Sequence, residues 1–177
     1  INTGYAFHEV LKDELNSYAG TSVKLDENKE VQPVQQLTWV SAGNAYKLGA
    51  DKRTIRKSDD LKRLHEWLMK NTDNGNITRQ EAVSMVPPLA LDVQPHHLVL
   101  DMCAAPGSKT TQMMEIIDQS LIASPGGEYN NGLVVANDAD TDRSYMLVHQ
   151  TRRMNSPLLV ICTHKGQNIP KFKVPNS

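Results

Sequence analysis

The segment Val99–Gln112, with the sequence VLDMCAAPGSKTTQ, contains residue types that could bind a nucleotide-like cofactor. Its apolar residues predict a short strand from His97 to Met102, with an acidic side chain, Asp101, at its end. The residues that follow are small and bend the chain sharply: Ala104, Ala105, Pro106 and Gly107. Such a turn lets backbone N–H groups approach a ligand closely, and a helix that begins at Ser108 favours an anionic group at its N-terminus.

Two glycine-loop motifs could explain this turn, and the spacing favours neither. A phosphate-binding P-loop requires a Gly-Lys-Ser/Thr run, whereas Lys109 follows Ser108 and Met102 stands where the first glycine should be. A dinucleotide fingerprint requires three glycines, and Gly107 is the only one in the turn. Two interpretations remain: an adenosyl ligand that lies over a glycine-poor turn, or an ordinary strand-to-helix corner of an α/β sheet.

The segments downstream favour a doubly wound α/β fold. Leu133–Ala136 is a second apolar run, and Asp138 follows it at the position where such folds hold a ribose diol. A third run, Pro157–Cys162, comes after a helical pattern formed by Met146, Leu147, Gln150 and Met154. The segment Gln119–Gly132 is rich in Gly, Pro, Asn and Ser and is interpreted as an inserted surface loop. The order strand, helix, strand, helix, strand predicts parallel strands with right-handed crossovers.

The N-terminal part is expected to be a separate mixed segment, residues 1–75, ahead of an α/β domain over residues 76–177. One helical face is formed by Phe7, Val10, Leu11 and Leu15. Residues 19–36 are interpreted as a loop and residues 37–40 as a short strand. A helix is expected to begin at Ser58, with the apolar stripe Leu61, Leu64 and Leu68. A further helix is expected to begin near Thr78 and to end at Pro87 and Pro88.

Composition excludes several classes of protein and site. The 177 residues suit one domain with a substantial core, and 19 basic against 20 acidic residues leave a net charge of -1, without the basic excess of a free-standing RNA binder. The two distant cysteines give no disulfide framework, and no apolar run reaches the roughly 18 residues of a membrane span. The adjacent His96 and His97 do not favour a metal site, because neighbouring residues of a strand point to opposite sides. The missing initiator Met and the end just after the third strand suggest a piece of a longer protein. A local basic cluster could contact RNA phosphates or form a solvated hairpin face: Lys52, Arg53, Arg56 and Lys57.

Three segments together resemble the NSUN-type RNA cytosine-5 methyltransferases, and most closely their tRNA-methylating branch. These segments are DMCAAPGSKTTQ, the upstream RQEAVSMVPPLAL (Arg79–Leu91), and ANDAD with the following Arg and LVHQ (Ala136–Gln150). The resemblance runs from about Leu37 to Pro170. It implies a Rossmann-like methyltransferase fold, here partial, with S-adenosylmethionine as cofactor, RNA and above all tRNA as substrate, and no metal.

The resemblance also implies roles for particular residues. The turn from Cys103 to Lys109 would surround the methionine part of S-adenosylmethionine, with Lys109 near its carboxylate. Asp138 would hold the ribose hydroxyls, and Arg143 would support that corner. Lys165 occupies the position where the family has an acidic residue that meets the adenine amino group, and an ammonium offers only donors there. The cofactor-binding residues implied are Cys103, Ala104, Ala105, Pro106, Gly107, Ser108, Lys109, Asp138, Arg143 and Lys165.

The family's two catalytic cysteines stand on later strands, and no residue of this chain is expected to be the nucleophile. Cys103 belongs to the cofactor turn, and Cys162 is expected to be a buried strand residue. The resemblance implies a nuclear or nucleolar protein, with the cytoplasm as the alternative. A second functional hypothesis is a non-catalytic module that keeps the fold for cofactor binding or for protein interaction. The lysine at position 165 favours this second hypothesis for the isolated chain.

Overall fold

The computed structural model describes residues 1–26, 29–40, 43–56, 58–123 and 132–172. The chain divides into two compact units, Ile1–Leu89 and Ala90–Ser177, which are described separately. The domain boundary expected from the sequence, between residues 75 and 76, lies upstream of this division and stays a prediction. In the described part of the chain, no helix is both long enough and apolar enough to cross a membrane.

The second unit contains a three-stranded parallel sheet with the strand order β5-β6-β7. Leu98 pairs with Leu133 at one end of the β5–β6 ladder, and Asn137 pairs with Cys162 at the far end of the β6–β7 ladder. Helices connect the strands in the alternating order that the sequence predicts, which confirms the parallel α/β arrangement. The elements are β5 (Leu98–Asp101), α5 (Ser108–Ala123), β6 (Leu133–Asn137), α6 (Thr141–Thr151) and β7 (Leu159–Cys162).

Both helices of this unit contribute to clusters that cover one face of the sheet. Met114 and Ile117 of α5 pack with Val99 and Val134 of the strands. Leu147 of α6 forms a second cluster with the small residues Ala104, Ala105 and Ala136. Alternate strand residues point to the opposite face and are about half exposed: Leu98, Leu100 and Val160.

The segment 119–132 differs from its sequence interpretation as a loop. Helix α5 continues through Ala123, so the first five residues of this segment are helical. The sequence QSLIA contains no helix breaker, and the first breakers, Pro125 and Gly126, follow it. Residues 124–131 lie outside the described residues. The helical pattern of Met146, Leu147 and Gln150 is confirmed in α6, while Met154 falls in the 3-10 helix Arg152–Met154.

Two long helices and two short antiparallel ladders form the frame of the first unit. Leu15 of α1, Val34 of β3, and Leu64 and Leu68 of α3 form its buried cluster. Strands β1 and β2 form one ladder, and β3 and β4 form the other. The elements are α1 (His8–Ala19), β1 (Val23–Asp26), β2 (Lys29–Val31), β3 (Val34–Gln36), β4 (Tyr46–Leu48), α2 (Lys52–Ile55), α3 (Asp59–Asp73), the 3-10 helix Ala82–Met85 and α4 (Val86–Ala90).

Four predictions for this unit are wrong. No helix begins near Thr78, because the first helical residue of that segment is Ala82, in the 3-10 helix Ala82–Met85. Residues 19–36 contain three strands rather than a loop, and residues 37–40 are not a strand. In β3, Val34 is the single apolar side chain and is fully buried, so alternation over three residues is too weak a signal to locate the strand. Pro87 and Pro88 lie inside α4 instead of ending a helix, because the first helical turn does not require their missing N–H groups.

The two long helices follow their predicted patterns more closely. Ser58 stands at the N-cap of α3 without a capping side-chain hydrogen bond, and the predicted stripe of Leu61, Leu64 and Leu68 is buried. In α1, Leu11 and Leu15 are buried as expected. Phe7 and Val10, which were expected on the same face, are each 62% exposed, so the buried face is narrower than the pattern predicts.

Candidate functional site

The candidate site lies where the chain leaves the carboxyl ends of β5, β6 and β7. In a parallel sheet these ends share one edge, so the three following loops lie next to each other. The first loop is the turn from Cys103 to Gly107, which leads directly into α5 at Ser108. The sequence predicted both the strand end at Asp101 and the helix start at Ser108, and both are confirmed.

Gly107 meets two structural requirements of the turn. Its φ of +112° lies in a region that residues with a Cβ rarely adopt. A Cβ at this position would also stand 2.9 Å from Cδ1 of Leu147 in α6, closer than real Cβ contacts. Helix α6 therefore packs directly against the turn, and the absence of a side chain at position 107 makes this approach feasible.

The backbone of the turn is held by residues from β6 and the start of α6. The N–H of Ala104 donates to the carbonyl oxygen of Asn137 at 2.8 Å. The N–H of Ala105 donates to Oδ2 of Asp138 at 3.1 Å, and the guanidinium of Arg143 donates to the carbonyl oxygen of Ala105 at 2.6 Å. Two charged side chains thus hold the backbone N–H and the backbone carbonyl group of one residue in the turn, Ala105.

Asp138 faces this turn and is only 3% exposed. Its Oδ1 accepts from the N–H of Asp140 at 3.1 Å. Its Oδ2, which accepts from the N–H of Ala105, also lies 3.5 Å from the guanidinium of Arg143. Both carboxylate oxygens therefore already accept hydrogen bonds from the protein. This geometry gives Asp138 a role in shaping the turn, and its direct contact with a ribose stays a prediction. Arg143 lies at the same corner, as the resemblance implies.

A second carboxylate, Asp101, holds the beginning of α5. Its Oδ2 accepts from the hydroxyl of Thr110 at 2.8 Å, and its Oδ1 lies 3.4 Å from the donating N–H of Cys103. Thr110 is completely buried. The sequence analysis assigned no role to Thr110, which lies in the first turn of α5, and no local pattern indicates its contact with Asp101.

The N-terminus of α5 supplies helix N–H groups and a lysine to the site. The 16-residue helix has no acidic residue in its first turn, although the Asp101 carboxylate reaches that turn through the Thr110 hydroxyl. Lys109 in that turn is exposed, and Ser108 is half-buried. An anionic group of a small ligand would find complementary charge here.

The third loop begins after β7 and contains Lys165. The Lys165 side chain is exposed, and its carbonyl oxygen accepts from the N–H of Asn168 at 2.7 Å at the start of a short 3-10 helix. The loop is joined to β6 through His164, whose N–H donates to Oδ1 of Asn137 at 2.9 Å. The structure thus brings the loops with Gly107, Asp138 and Lys165 to one edge of the sheet.

Comparisons with known proteins agree with this geometry. A family model described as 16S rRNA methyltransferase RsmB/F matches residues 88–175, which contain the sheet and all three loops. The multisite-specific tRNA:(cytosine-C(5))-methyltransferase trm4b of Schizosaccharomyces pombe is 45% identical over 98% of this chain and 27% of its own length. The tRNA (cytosine(34)-C(5))-methyltransferase of Drosophila melanogaster is 50% identical over 77% of this chain and 18% of its own length. The chain belongs to the NSUN-type methyltransferase family.

The resemblance predicted from the turn motif is thereby confirmed. A crystal structure of a methyltransferase homologue from Pyrococcus horikoshii superimposes with a TM-score of 0.55 and 23% identity, over 92% of this chain and 41% of that one. This likeness confirms the Rossmann-like fold of the family. The chain spans between about a fifth and a quarter of the length of the curated relatives named above.

The two cysteines of this NSUN-type chain lie in different environments, and that of Cys162 does not favour a nucleophile. Cys162 is half-buried in β7, its thiol lies 3.4 Å from Oδ1 of Asn137, and burial raises the pKa of that thiol. A raised pKa favours the unreactive protonated form. Cys103 is exposed in the turn that precedes α5. The expectation that Cys162 is a strand residue is confirmed, although its burial is partial.

The predicted RNA-contacting residues lie on and next to α2 in the first unit. Arg53 and Arg56 are exposed, the side chain of Lys52 is not described, and Lys57 lies outside the described residues. Helix α2 begins after Asp51, whose carboxylate accepts from the N–H of Thr54 at 2.8 Å. The arginines are thus presented by a short capped helix that follows β4 and not by a hairpin face.

The two adjacent histidines have a structural explanation. The rings of His96 and His97 are in edge contact, with their centroids 4.8 Å apart. Nδ1 of His97 lies 3.1 Å from the donating N–H of Gln94, which fixes the turn before β5. Within the described ranges, no three His, Cys, Asp or Glu side chains are grouped to hold a metal ion.

Proposed function

We propose that the protein containing this chain is an S-adenosylmethionine-dependent tRNA cytosine-5 methyltransferase, and that this chain binds the cofactor. The observation that carries the proposal is the turn at Ala105, fixed by Asp138 and Arg143 where the positive end of α5 begins. The names of the two curated relatives described above, which are tRNA cytosine-5 methyltransferases, support this substrate. They do not favour the alternative of a non-catalytic module.

The residues of the turn fit S-adenosylmethionine. A carboxylate such as that of its methionine part is complemented by the N-terminus of α5 and by the exposed Lys109. Ala104 and Ala105 are small and pack against Leu147 of α6. When bound, S-adenosylmethionine supplies an electrophilic methyl group on its sulfonium sulfur. The chain's own contribution is to bind and orient this donor.

The proposal assigns nucleophilic catalysis to residues beyond this chain. Methyl transfer to C5 of cytosine requires a thiolate that first adds to C6, and burial keeps Cys162 in its thiol form. Cys103 stands in the turn that is assigned to the cofactor. The family resemblance implies catalytic cysteines on strands later than β7.

Methyl transfer from labelled S-adenosylmethionine to bulk tRNA tests the proposed activity. The full-length protein is expected to transfer the label, and residues 1–177 alone are expected to transfer none. The variant Cys103→Ala of the full-length protein should retain transfer, because the cysteine is not the nucleophile in this proposal. Transfer by residues 1–177 that is lost in Cys103→Ala would contradict it, and so would a full-length protein that transfers no label.

We propose further that Arg53 and Arg56, with Lys52 and Lys57, contact tRNA phosphates. The exposed positions of the two arginines support this proposal. Arg53→Glu should weaken tRNA binding and make it less dependent on salt. Binding releases counterions from the phosphates that the protein contacts, and the variant would contact fewer phosphates. Arg63→Glu on α3 is the matched control, since Arg63 is exposed and already paired with Asp60. Equal losses of affinity in the two variants would contradict a specific contact.

The cellular location is also a proposal that rests on the family resemblance. We propose that the protein resides in the nucleus or nucleolus, with the cytoplasm as the alternative. Fluorescence imaging of the tagged full-length protein distinguishes these compartments. A signal confined to the cytoplasm would contradict the proposal.

A further inference from the structure

The side chain of Asn137 is completely buried at the carboxyl end of β6, the middle strand of the sheet. Its Nδ2 donates to the carbonyl oxygen of Met102 at 3.1 Å and to that of His164 at 2.8 Å. Its Oδ1 accepts from the N–H of His164 at 2.9 Å and from the thiol of Cys162 at 3.4 Å. Both amide hydrogens and both oxygen lone pairs of this side chain are therefore used.

These contacts join segments that are distant in sequence. Met102 follows β5 and leads into the cofactor turn, while His164 follows β7 and precedes Lys165. The two residues lie 35 positions before and 27 positions after Asn137, respectively. One side chain on the central strand therefore links the loop after β5 to the loop after β7.

The polarity of the partners requires an amide at this position. Two of the partners are backbone carbonyl oxygens, which only accept, and one is a backbone N–H, which only donates. A carboxylate of the same shape would direct oxygen lone pairs at both carbonyl oxygens and would leave them without a donor. Since unsatisfied buried polar groups are costly, an aspartate here would push the two loops apart.

We propose that Asn137 is a positioning residue that sets the separation of the two loops between which the cofactor binds. The backbone of the same residue adds to this role, because its carbonyl oxygen accepts from the N–H of Ala104 inside the turn. Asn137 does not itself touch the cofactor in this proposal. The inference rests on the proposed function, in that the ligand of the site is S-adenosylmethionine or a close analogue.

The test compares Asn137→Asp with Asn155→Asp in the full-length protein, with sinefungin as the probe of the cofactor site. Asn155 is exposed, precedes β7 at the opposite edge of the sheet, and has a φ of +48° that Asp also tolerates. At pH 8 we expect Asn137→Asp to weaken sinefungin binding at least tenfold and Asn155→Asp to leave it within twofold. Circular dichroism reports whether each variant is folded.

A pH series separates positioning from a general loss of structure. A protonated carboxyl regains one O–H donor, so the affinity of Asn137→Asp relative to wild type should recover as the pH falls towards 5.5. The side chains of Asp138, Cys162 and His164 are present in both proteins, and the ratio of the two affinities therefore isolates position 137. Asn137→Ser, which keeps one shorter donor, should give an intermediate loss.

Each remaining outcome contradicts a specific part of the argument. Wild-type affinity in folded Asn137→Asp, or a loss that does not depend on pH, would overturn the positioning role. Unfolding of both Asn137→Asp and Asn137→Ser would assign Asn137 to folding and would also overturn it. Failure of the wild-type protein to bind sinefungin would instead refute the proposed function, so the two failures are distinguishable.

Discussion

The contacts of Asp138 predict a local effect on the cofactor turn when its carboxylate is replaced by an amide. Asp138→Asn keeps the size of the side chain but leaves one oxygen for two backbone donors, the N–H groups of Ala105 and Asp140. A buried donor without an acceptor costs about 1–3 kcal/mol. Loss of the ion pair with Arg143 adds about 0.2–1 kcal/mol to this cost, a small amount because the arginine side chain is 49% exposed.

Hydrogen exchange of the peptides that contain Ala105 and Asp140 measures this cost directly, even in a large protein. A loss of about 1–3 kcal/mol corresponds to roughly 5- to 150-fold faster exchange of at least one of these two N–H groups. The effect should be present without cofactor, since the hydrogen bond belongs to the protein alone. Asp142→Asn, on the exposed side of the first turn of α6, is the control with the same change of charge and should leave the exchange rate unchanged.

The same experiment decides between two roles for Asp138. If its carboxylate instead holds the ribose hydroxyls, exchange in the free protein stays at the wild-type rate, and only the affinity for cofactor falls, by about 1.5–3 kcal/mol for charged hydrogen bonds. That combination would refute the reasoning from the turn geometry. Faster exchange together with weaker binding would support a role in shaping the turn.

Three further predictions concern the turn, the thiols and the third loop. Gly107→Ala should lower the free energy of unfolding by about 1–3 kcal/mol, because the added Cβ meets Leu147 and a positive φ is strained for alanine. A thermal melt without a shift of the midpoint would contradict this. Cys103 should react with iodoacetamide well before Cys162 at pH 8, since burial raises the pKa of the Cys162 thiol and keeps it protonated. Mass spectrometry of the labelled peptides measures both rates. Faster labelling of Cys162 would be inconsistent with its environment. Lys165→Asp should strengthen cofactor binding by roughly 0.5–1.5 kcal/mol in titration calorimetry, the value of one added hydrogen-bond acceptor, and a loss of affinity would show that the lysine makes a favourable contact of its own.

The sequence predicted the α/β unit well because its signals are strong and local. Each of its three strands is a short apolar run, β5 and β6 end on a polar residue, and Gly107 marks the single backbone position that requires a positive φ in the turn. The side-chain directions at the edge were not predictable in this way. Asp138 faces the N–H of Ala105, a residue 33 positions away, and no pattern within either segment indicates this pairing.

The first unit shows where local patterns fail. Its strands contain three or four residues, and β3 has only one apolar side chain, Val34, whose burial is decided by Leu15 and Leu64 from two different helices. Tertiary packing of this kind overrides local propensity. In α3, by contrast, the leucines at helical spacing gave a reliable prediction, because Leu61, Leu64 and Leu68 recur on one face over about two turns.

The contacts that shape the turn also determine when it forms. They join residues 27 to 38 positions apart, so the turn cannot be completed by its own neighbours in the chain. During synthesis the segment around Ala105 leaves the ribosome well before Arg143 and His164, and closing such long loops is a late step of folding. We therefore expect nascent chains to acquire cofactor affinity only after residue 164 has emerged. Binding by stalled chains that end before α6 would contradict this order of assembly.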